Sequence, residues 1–578
     1  MQGCLELAEQ ESGRVWKMIR EEIREKYERW CHRVFDSEVS ADLSTMSEEQ
    51  IEEAFSSDLT FGTAGLRGIM EAGTNRMNVY TVARASQGLA DYLNRSVEPE
   101  KRKIAVSRDS RNRSELFSRT AAEVFAANGI QVLIYREIMP VPLLSYAVRQ
   151  LDCAAGVMIT ASHNPPEYNG YKVYGADGCQ ITSEAAEAIQ QAISETDLFE
   201  DVRKLPFEKA LEQGMIQWIP EEIYDSFTDT VKNQSLIGEE VPRDCAIVYS
   251  PLNGTGLRPV LRTLKESGYT QVTVVPEQEQ PDGNFPTCRK PNPEEREALQ
   301  LGLALADRNG ADLVMATDPD CDRIGIAVRD AQGQFVLLSG NETGMLLLDY
   351  ICSRRTECGT MPQDPVMIKT IVTTDIAERI AESYGVHTQN VLTGFKYIGE
   401  QMTAMEKAGH PESYLLGFEE SYGYLTGTHV RDKDGVGTAL MICDMFAYHR
   451  SRGISLLQRL EQIYEKHGYC LNSVYSYQFE GSKGSFTMER IMNVLRSGVR
   501  RIGGFNVEEV KDYREGIDGL PKSNVLRFRL ASEIILIARP SGTEPKLKFY
   551  LSIYAKNRSQ AKLKEKQVLT DIDGLTKI

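Results

Sequence analysis

Ala155-Gly156-Val157-Met158-Ile159-Thr160-Ala161-Ser162-His163-Asn164-Pro165 runs from an uncharged apolar segment into a loop of small and polar residues. The first five residues read as a buried strand, and the prolines at 165 and 166 end it. The same two-part pattern returns twice. Residues 312–316 run into Thr317-Asp318-Pro319-Asp320-Cys321-Asp322-Arg323, and residues 414–418 run into Glu419-Glu420-Ser421-Tyr422-Gly423. In each case two earlier apolar runs stand upstream, separated by helix-like sequence: 103–106 and 131–135, 246–249 and 271–275, 366–371 and 388–392.

Strands alternating with helices make α/β layers, and ligands collect beyond the carboxyl ends of such strands. The pattern therefore predicts three topologically related α/β domains, over 1–207, 208–328 and 329–465. The remainder differs. Strands at 473–478, 525–530 and 533–538, a helix at 486–496 and tight turns predict a C-terminal α+β domain over 466–578. The expectation is four domains around a central cleft, with residues 1–45 a helical extension packed on the first.

A chain of 578 residues fits about three to five domains. It is 41% hydrophobic and 26% charged, which permits large cores. A net charge of −17 argues against nucleic acid as a partner, because such binding needs a cationic surface. An anionic substrate would then need local cations or a metal. The 11 cysteines form no CxxC pair, no apolar stretch reaches a membrane span, and the charged N-terminus does not read as a signal peptide. Together these predict a cytoplasmic protein without a membrane.

Asp318, Asp320 and Asp322 offer carboxylates at alternating positions, as a hard cation such as Mg2+ requires. An EF-hand would need Gly and Glu where Arg323 and Arg329 stand. A phosphatase using the first Asp of an Asp-x-Asp pair as nucleophile, and a solvated acidic turn, are the other readings. Ser162 is displayed at a strand end, where it suits a covalent intermediate or, equally, a turn cap. His163 is its neighbour in an extended loop, where successive side chains point apart, so no Ser-His pair is expected. In Arg539-Pro540-Ser541-Gly542-Thr543-Glu544-Pro545, a forked donor, hydroxyls and free N–H groups suit a phosphate, although an ordinary turn would read the same. Glu419 and Ser421 suit sugar hydroxyls, and Arg431 and Lys433 are expected to add positive charge beside them.

Taken together, these loops resemble the α-D-phosphohexomutases, a family of phosphoglucomutases and phosphomannomutases. The resemblance runs from about Phe61 to Tyr550. The opening Phe61-Gly62-Thr63-Ala64-Gly65-Leu66-Arg67-Gly68 is similar to the longer bacterial phosphoglucomutases, related also to phosphopentomutases. The resemblance implies that Ser162 carries a phosphoryl group and, with the three aspartates, holds Mg2+. Arg67, His163, Lys172 and Arg323 would surround the phosphoryl group, with Lys172 the candidate for proton transfer. Glu419 and Ser421 would read sugar hydroxyls. Arg539, Ser541, Gly542 and Thr543 would clamp the second phosphate, and Thr393, Gly394, Lys396, Arg431 and Lys433 complete the expected substrate contacts.

The implied reaction interconverts glucose 1-phosphate and glucose 6-phosphate, with glucose 1,6-bisphosphate as intermediate and activator, in a monomer or weak homo-oligomer. Phosphomannomutase, phosphopentomutase, a glucose-1,6-bisphosphate synthase, a metal-dependent sugar phosphatase and a non-catalytic sugar-phosphate sensor are the alternatives. Two departures stand out. Tyr422-Gly423-Tyr424 lies where the phosphomannomutase type carries a histidine, and Cys321 replaces a smaller residue in the aspartate loop.

Overall fold

The computed structural model describes residues 20–63, 65–479, 483–541 and 546–576. They form two compact units. The first takes the chain up to Asn233, then Ala246–Ile324 and His429–Leu440. The second takes Gln234–Cys245, Gly325–Thr428 and the chain from Met441.

The first unit begins with a helical stretch 20–33 and the helices Ser37–Thr45 and Glu48–Phe55. Asp36 and Ser47 cap the latter two, each accepting from a free first-turn N–H. Trp30, Val39, Leu43 and Phe55 bury together with Ala72, and the Trp30 ring meets Tyr80 and Phe199 edge-on at 5.6 and 5.8 Å. Residues 20–45 thus pack on the first domain, and the rest of the expected extension, residues 1–19, lies outside the described residues.

The first domain's sheet runs Leu66–Ile69, Tyr168–Gly175, Ala155–Ile159, Lys103–Arg108, Gln131–Ile134, Ile216–Trp218. Lys103–Arg108 is central and parallel to both neighbours, pairing Lys103 with Gln131 and Ile104 with Ala155. The same arrangement recurs in the second domain, where Ile247–Ser250 lies parallel between Val272–Val274 and Leu313–Thr317. In the second unit Val366–Thr370 lies parallel between His387–Val391 and Tyr414–Glu419. The repeat is therefore geometric: the first strand lies in the middle, the second on one side and the third on the other.

The C-terminal sheet is antiparallel throughout. Its order is Tyr469–Gln478, Lys546–Ala555, Ile534–Pro540, Leu526–Leu530, Phe505–Asp512, Arg501–Ile502. Leu526, Phe528, Leu536, Phe549 and Leu551 form its core with residues of the helices Lys483–Arg496 and Arg558–Thr576. Ile535, Ile537, Tyr513 and Tyr550 instead bury against Ile371, Val372 and Leu392 of the third domain. Among the described residues no helix is long and apolar enough to cross a membrane.

Burial has one consequence for stability. His449, near the end of the helix Gly435–Ser451, is buried between Tyr350 and Tyr448 with neither ring nitrogen hydrogen-bonded. Burial pulls its pKa down to about 4, with Arg459 and Arg452 acting in the same direction and Asp349 and Glu357 against. The unfolded chain therefore binds the proton first as pH falls. Stability should drop between about pH 6.5 and 4, by roughly 3 kcal/mol from this group. Thermal melts of wild type and His449→Phe across that range check it: the variant should lose the difference in slope.

Candidate active site

Three loops follow the third strand of each repeat, and each contains a residue other than glycine with left-handed backbone: Ser162 (φ 52°), Cys321 (φ 51°) and Tyr422 (φ 62°). Such a turn is unfavourable for an L-residue unless its surroundings hold it. In the first unit two of these loops meet.

Ser162 is buried, and its Oγ donates to Asp318 Oδ2 at 2.6 Å. His163 Nδ1 lies 3.2 Å from the same Oγ. This corrects the expectation that the two side chains point apart. That expectation assumed extended backbone, whereas the left-handed turn at Ser162 swings its neighbour back. Burial, then Arg323 and Arg67, push the His163 pKa well below its ordinary value, so the imidazole is neutral.

Arg67 reaches the loop by another route. Its strand, Leu66–Ile69, pairs antiparallel with Tyr168–Gly175, placing Arg67 opposite Gly170. Gly65 allows that approach: its φ is 76°, and a Cβ there would lie 1.8 Å from the Tyr171 carbonyl oxygen. Arg67 Nη1 donates to Asn164 Oδ1 at 2.9 Å. Lys172 lies on the paired strand opposite Met158.

The aspartate loop is built on itself. Asp318 Oδ1 accepts from the backbone N–H of Asp322 and Arg323, at 3.2 and 3.0 Å. Thr255 donates twice to the Pro319 carbonyl, by N–H and by hydroxyl, both at 2.8 Å. Gly254 makes room, since a Cβ there would fall 2.4 Å from Pro319 Cα. Cys321 takes the left-handed position with a fully buried side chain.

Asp318, Asp320 and Asp322 are all buried, and one carboxylate oxygen of each lies within 4.8 Å of the others. Lys172 Nζ donates to Asp320 Oδ2 at 2.8 Å and to Asp322 Oδ2 at 3.2 Å. Burial disfavours that ammonium, but the two carboxylates outweigh it and hold its pKa above the ordinary value. Burial and the two other aspartates push Asp318 well up. Asp320 Oδ1 and Asp322 Oδ1 are buried and receive no hydrogen bond from the protein. Buried carboxylates with orphaned oxygens are costly alone and suit a hard cation, so the residues present fit a metal ion.

Arg431 and Lys433, expected beside Glu419 and Ser421, belong to the first unit with the aspartate loop. Lys433 Nζ lies 3.3 Å from Asp322 Oδ2 and 3.0 Å from Asp432 Oδ1, and Gly435 N–H donates to the Cys321 carbonyl at 3.1 Å. Arg431 is buried, its N–H donating to Ser145 Oγ at 3.0 Å. Satisfying these buried charges draws the segment there. Arg323 donates to Glu294 Oε1 at 2.7 Å.

In the second unit Glu419 is buried, and its Oε1 accepts from the Gly394 N–H at 2.9 Å. That bond brings the Thr393–Lys396 turn to the Glu419 loop, and Gly394 has a φ of 122°. Lys396 Nζ sits 4.6 Å above the Tyr397 ring. Ser421 is half-buried. Arg539 pairs with Lys548 across the C-terminal sheet and hydrogen-bonds Tyr550. Burial raises the Tyr550 pKa, Glu420 and Glu419 raise it further, and Arg539 opposes them. The Ser541 backbone N–H donates to the Lys546 carbonyl at 2.7 Å. Gly542 and Thr543 lie outside the described residues.

Sequence reasoning assigned no role to Asp109, Arg111 or Thr160, which surround the Ser162 turn. Their signal was an Asp-x-Arg triplet directly after an apolar strand, where charge is unexpected.

Comparison with known proteins gives a consistent result. Residues 58–200, 225–333 and 339–467 match the phosphoglucomutase/phosphomannomutase alpha/beta/alpha domains I, II and III in turn. The phosphoglucomutase of Staphylococcus saprophyticus is 38% identical over 540 residues, covering 91% of this chain and 96% of that protein. That of Staphylococcus aureus strain MSSA476 is 35% identical, covering 92% and 96%. Two solved structures share the fold. A putative phosphomannomutase from Thermus thermophilus has a TM-score of 0.67 at 21% identity, covering 90% of this chain and 100% of that one. The open form of pp63/parafusin, a phosphoglucomutase from Paramecium, has a TM-score of 0.66 at 16% identity, covering 90% and 96%.

Proposed function

The chain belongs to the phosphoglucomutase/phosphomannomutase family and is a phosphosugar mutase, and we propose that it interconverts glucose 1-phosphate and glucose 6-phosphate through a phosphoryl group carried on Ser162. The observation that carries this reading is the Ser162 hydroxyl 2.6 Å from a buried carboxylate triad with orphaned oxygens, among the cations Arg67, Lys172 and Arg323.

Phosphoryl transfer asks a protein mainly for positioning and charge neutralisation. Asp318, Asp320 and Asp322, with an oxygen at Ser162, would hold Mg2+, which when bound supplies positive charge to the phosphoryl oxygens. In the first half, the P–O bond to Ser162 Oγ breaks as one to the free sugar hydroxyl forms. The sugar hydroxyl gives up its proton, Ser162 regains one, and the product is glucose 1,6-bisphosphate. After the bisphosphate turns end for end, its other phosphoryl group returns to Ser162 and glucose 6-phosphate leaves. His163, neutral and 3.2 Å from Ser162 Oγ, is assigned to take the serine's proton as the phosphoryl group returns to Ser162, while the Lys172 ammonium gives one to the departing sugar oxygen, and the first half runs both transfers in reverse.

Glu419, Ser421, Thr393, Gly394 and Lys396 are assigned to the sugar, Arg323, Arg431 and Lys433 to the charge around the transferring group. Arg539 and Ser541, with Gly542 and Thr543, are assigned to the second phosphate. Charged sugar phosphates do not cross membranes, so the reading includes a cytoplasmic enzyme, working as a monomer or weak homo-oligomer.

The test is turnover of glucose 1-phosphate with Mg2+ and a trace of glucose 1,6-bisphosphate, following glucose 6-phosphate and free phosphate together. Isomerisation without phosphate release is the expected result. Steady phosphate release would overturn it in favour of a phosphatase, and isomerisation of mannose or pentose phosphates alone would change the sugar.

A further inference from the structure

We propose that Asp109, Arg111 and Thr160 are positioning residues that hold the Ser162 turn from behind and tie it to Asp320, fixing the aim of the Ser162 hydroxyl. The proposal rests on Ser162 being the phosphoryl carrier. All three side chains are buried, so they act through Ser162 and not on the substrate.

The left-handed turn at Ser162 needs something to enforce it. Arg111 does so with one guanidinium. Its Nη2 donates to the carbonyls of Ser162 and Asn164, and its Nη1 to those of Pro165 and Tyr168, both at 2.9 Å. Four carbonyls of one loop thus converge on a planar fork, an arrangement a lysine could not copy. The fork lies with its carbon 5.0 Å from the Phe285 ring centroid, and Arg111 Nε faces Asp109 Oδ2 at 3.4 Å.

Asp109 then binds the other end of the loop. Its Oδ1 accepts from the Arg111 N–H at 3.0 Å and from Ser114 Oγ at 2.9 Å, while its Oδ2 accepts from Thr160 Oγ1 at 2.6 Å. Thr160 Oγ1 accepts in turn from the Ser162 N–H at 2.8 Å. The same oxygen lies 3.2 Å from Asp320 Oδ2. A hydroxyl has one proton to give. The shorter contact assigns it to Asp109, and a shift of Asp320 toward Thr160 would draw it away. Thr160 is therefore the junction at which the serine loop and the aspartate loop sense each other.

Thr160→Val removes the hydroxyl at constant shape, and Thr160→Ser keeps it. The readout is single-turnover transfer from the phosphorylated enzyme to glucose 1-phosphate, with phosphate on Ser162 counted by intact mass. Thr160→Val should transfer about a hundredfold more slowly, the scale of an ångström's misplacement, with KM within about twofold. Thr160→Ser should recover to within about threefold of wild type. A merely structural role would lower the melting temperature and the phosphorylated fraction without changing transfer per phosphorylated molecule, and that result would overturn the proposal. If the valine variant is insoluble, Asp109→Asn carries the same expectation at about tenfold and the same overturning result. A wild-type enzyme that turns over without ever carrying phosphate on Ser162 would overturn both this proposal and the reading beneath it, whereas normal transfer in Thr160→Val sinks this proposal alone.

Discussion

Ser162→Ala should lose mutase turnover by about four orders of magnitude or more, because the substitution removes the atom to which the phosphoryl group bonds. Every other feature around it in the first unit would remain: the aspartate triad and the cations Arg67, Lys172 and Arg323. The variant also leaves Asp318 Oδ2 without its 2.6 Å donor and keeps an L-residue in a left-handed turn. A loss of about 1–3 kcal/mol in stability is expected, so the assay should run well below its melting temperature. Turnover within about tenfold of wild type, on protein confirmed folded by its thermal melt, would refute Ser162 as carrier.

Asp318→Asn should separate function from stability in opposite directions. Burial and the charges of Asp320 and Asp322 push the Asp318 pKa up, so a charged carboxylate at that position costs the metal-free fold stability. Asparagine is nearly the same shape and still accepts the Asp322 and Arg323 N–H groups through its oxygen. The metal-free variant should therefore melt at or above the wild-type temperature. Added Mg2+ should raise the wild-type melting temperature and leave that of the variant unmoved, since a ligand stabilises only the state that binds it. Turnover should fall about a thousandfold, equivalent to several kcal/mol of lost charge stabilisation. A variant that melts lower than wild type without metal, or that still responds to Mg2+, would show that the triad is a structural network.

The repeat was legible because the middle and third strands of each unit are written as short, mostly apolar runs, the composition that burial on both faces favours. The aspartate triad was legible because alternating carboxylates after an apolar strand have few other uses. Three things were not. The strands Tyr168–Gly175 and Phe505–Asp512 were missed because glycines and charged residues dilute their pattern, and their place is fixed by neighbours. The Ser162–His163 contact was missed because it depends on the sign of one backbone angle, and nothing in the residue type Ser announces a positive φ. The Lys433–Asp322 contact was missed because it joins residues far apart in the chain. What sequence reading lacks in each case is the tertiary partner, not the local propensity.

The course of the chain between the two units has a practical corollary for anyone dissecting this protein. It enters the second unit at Gln234, returns at Ala246, leaves again after Ile324, comes back for His429–Leu440 and departs partway along the continuous helix Gly435–Ser451. No single cut yields either unit whole. A shortened gene product stopping before His429 would keep Ser162 and all three aspartates yet lack Lys433, the cation 3.3 Å from Asp322. Such a fragment would keep the Ser162 loop and would leave Asp322 with one ammonium neighbour, Lys172 at 3.2 Å, in place of two. Minimal versions of this enzyme should be sought by circular permutation or by splitting within an exposed loop, with both pieces co-expressed.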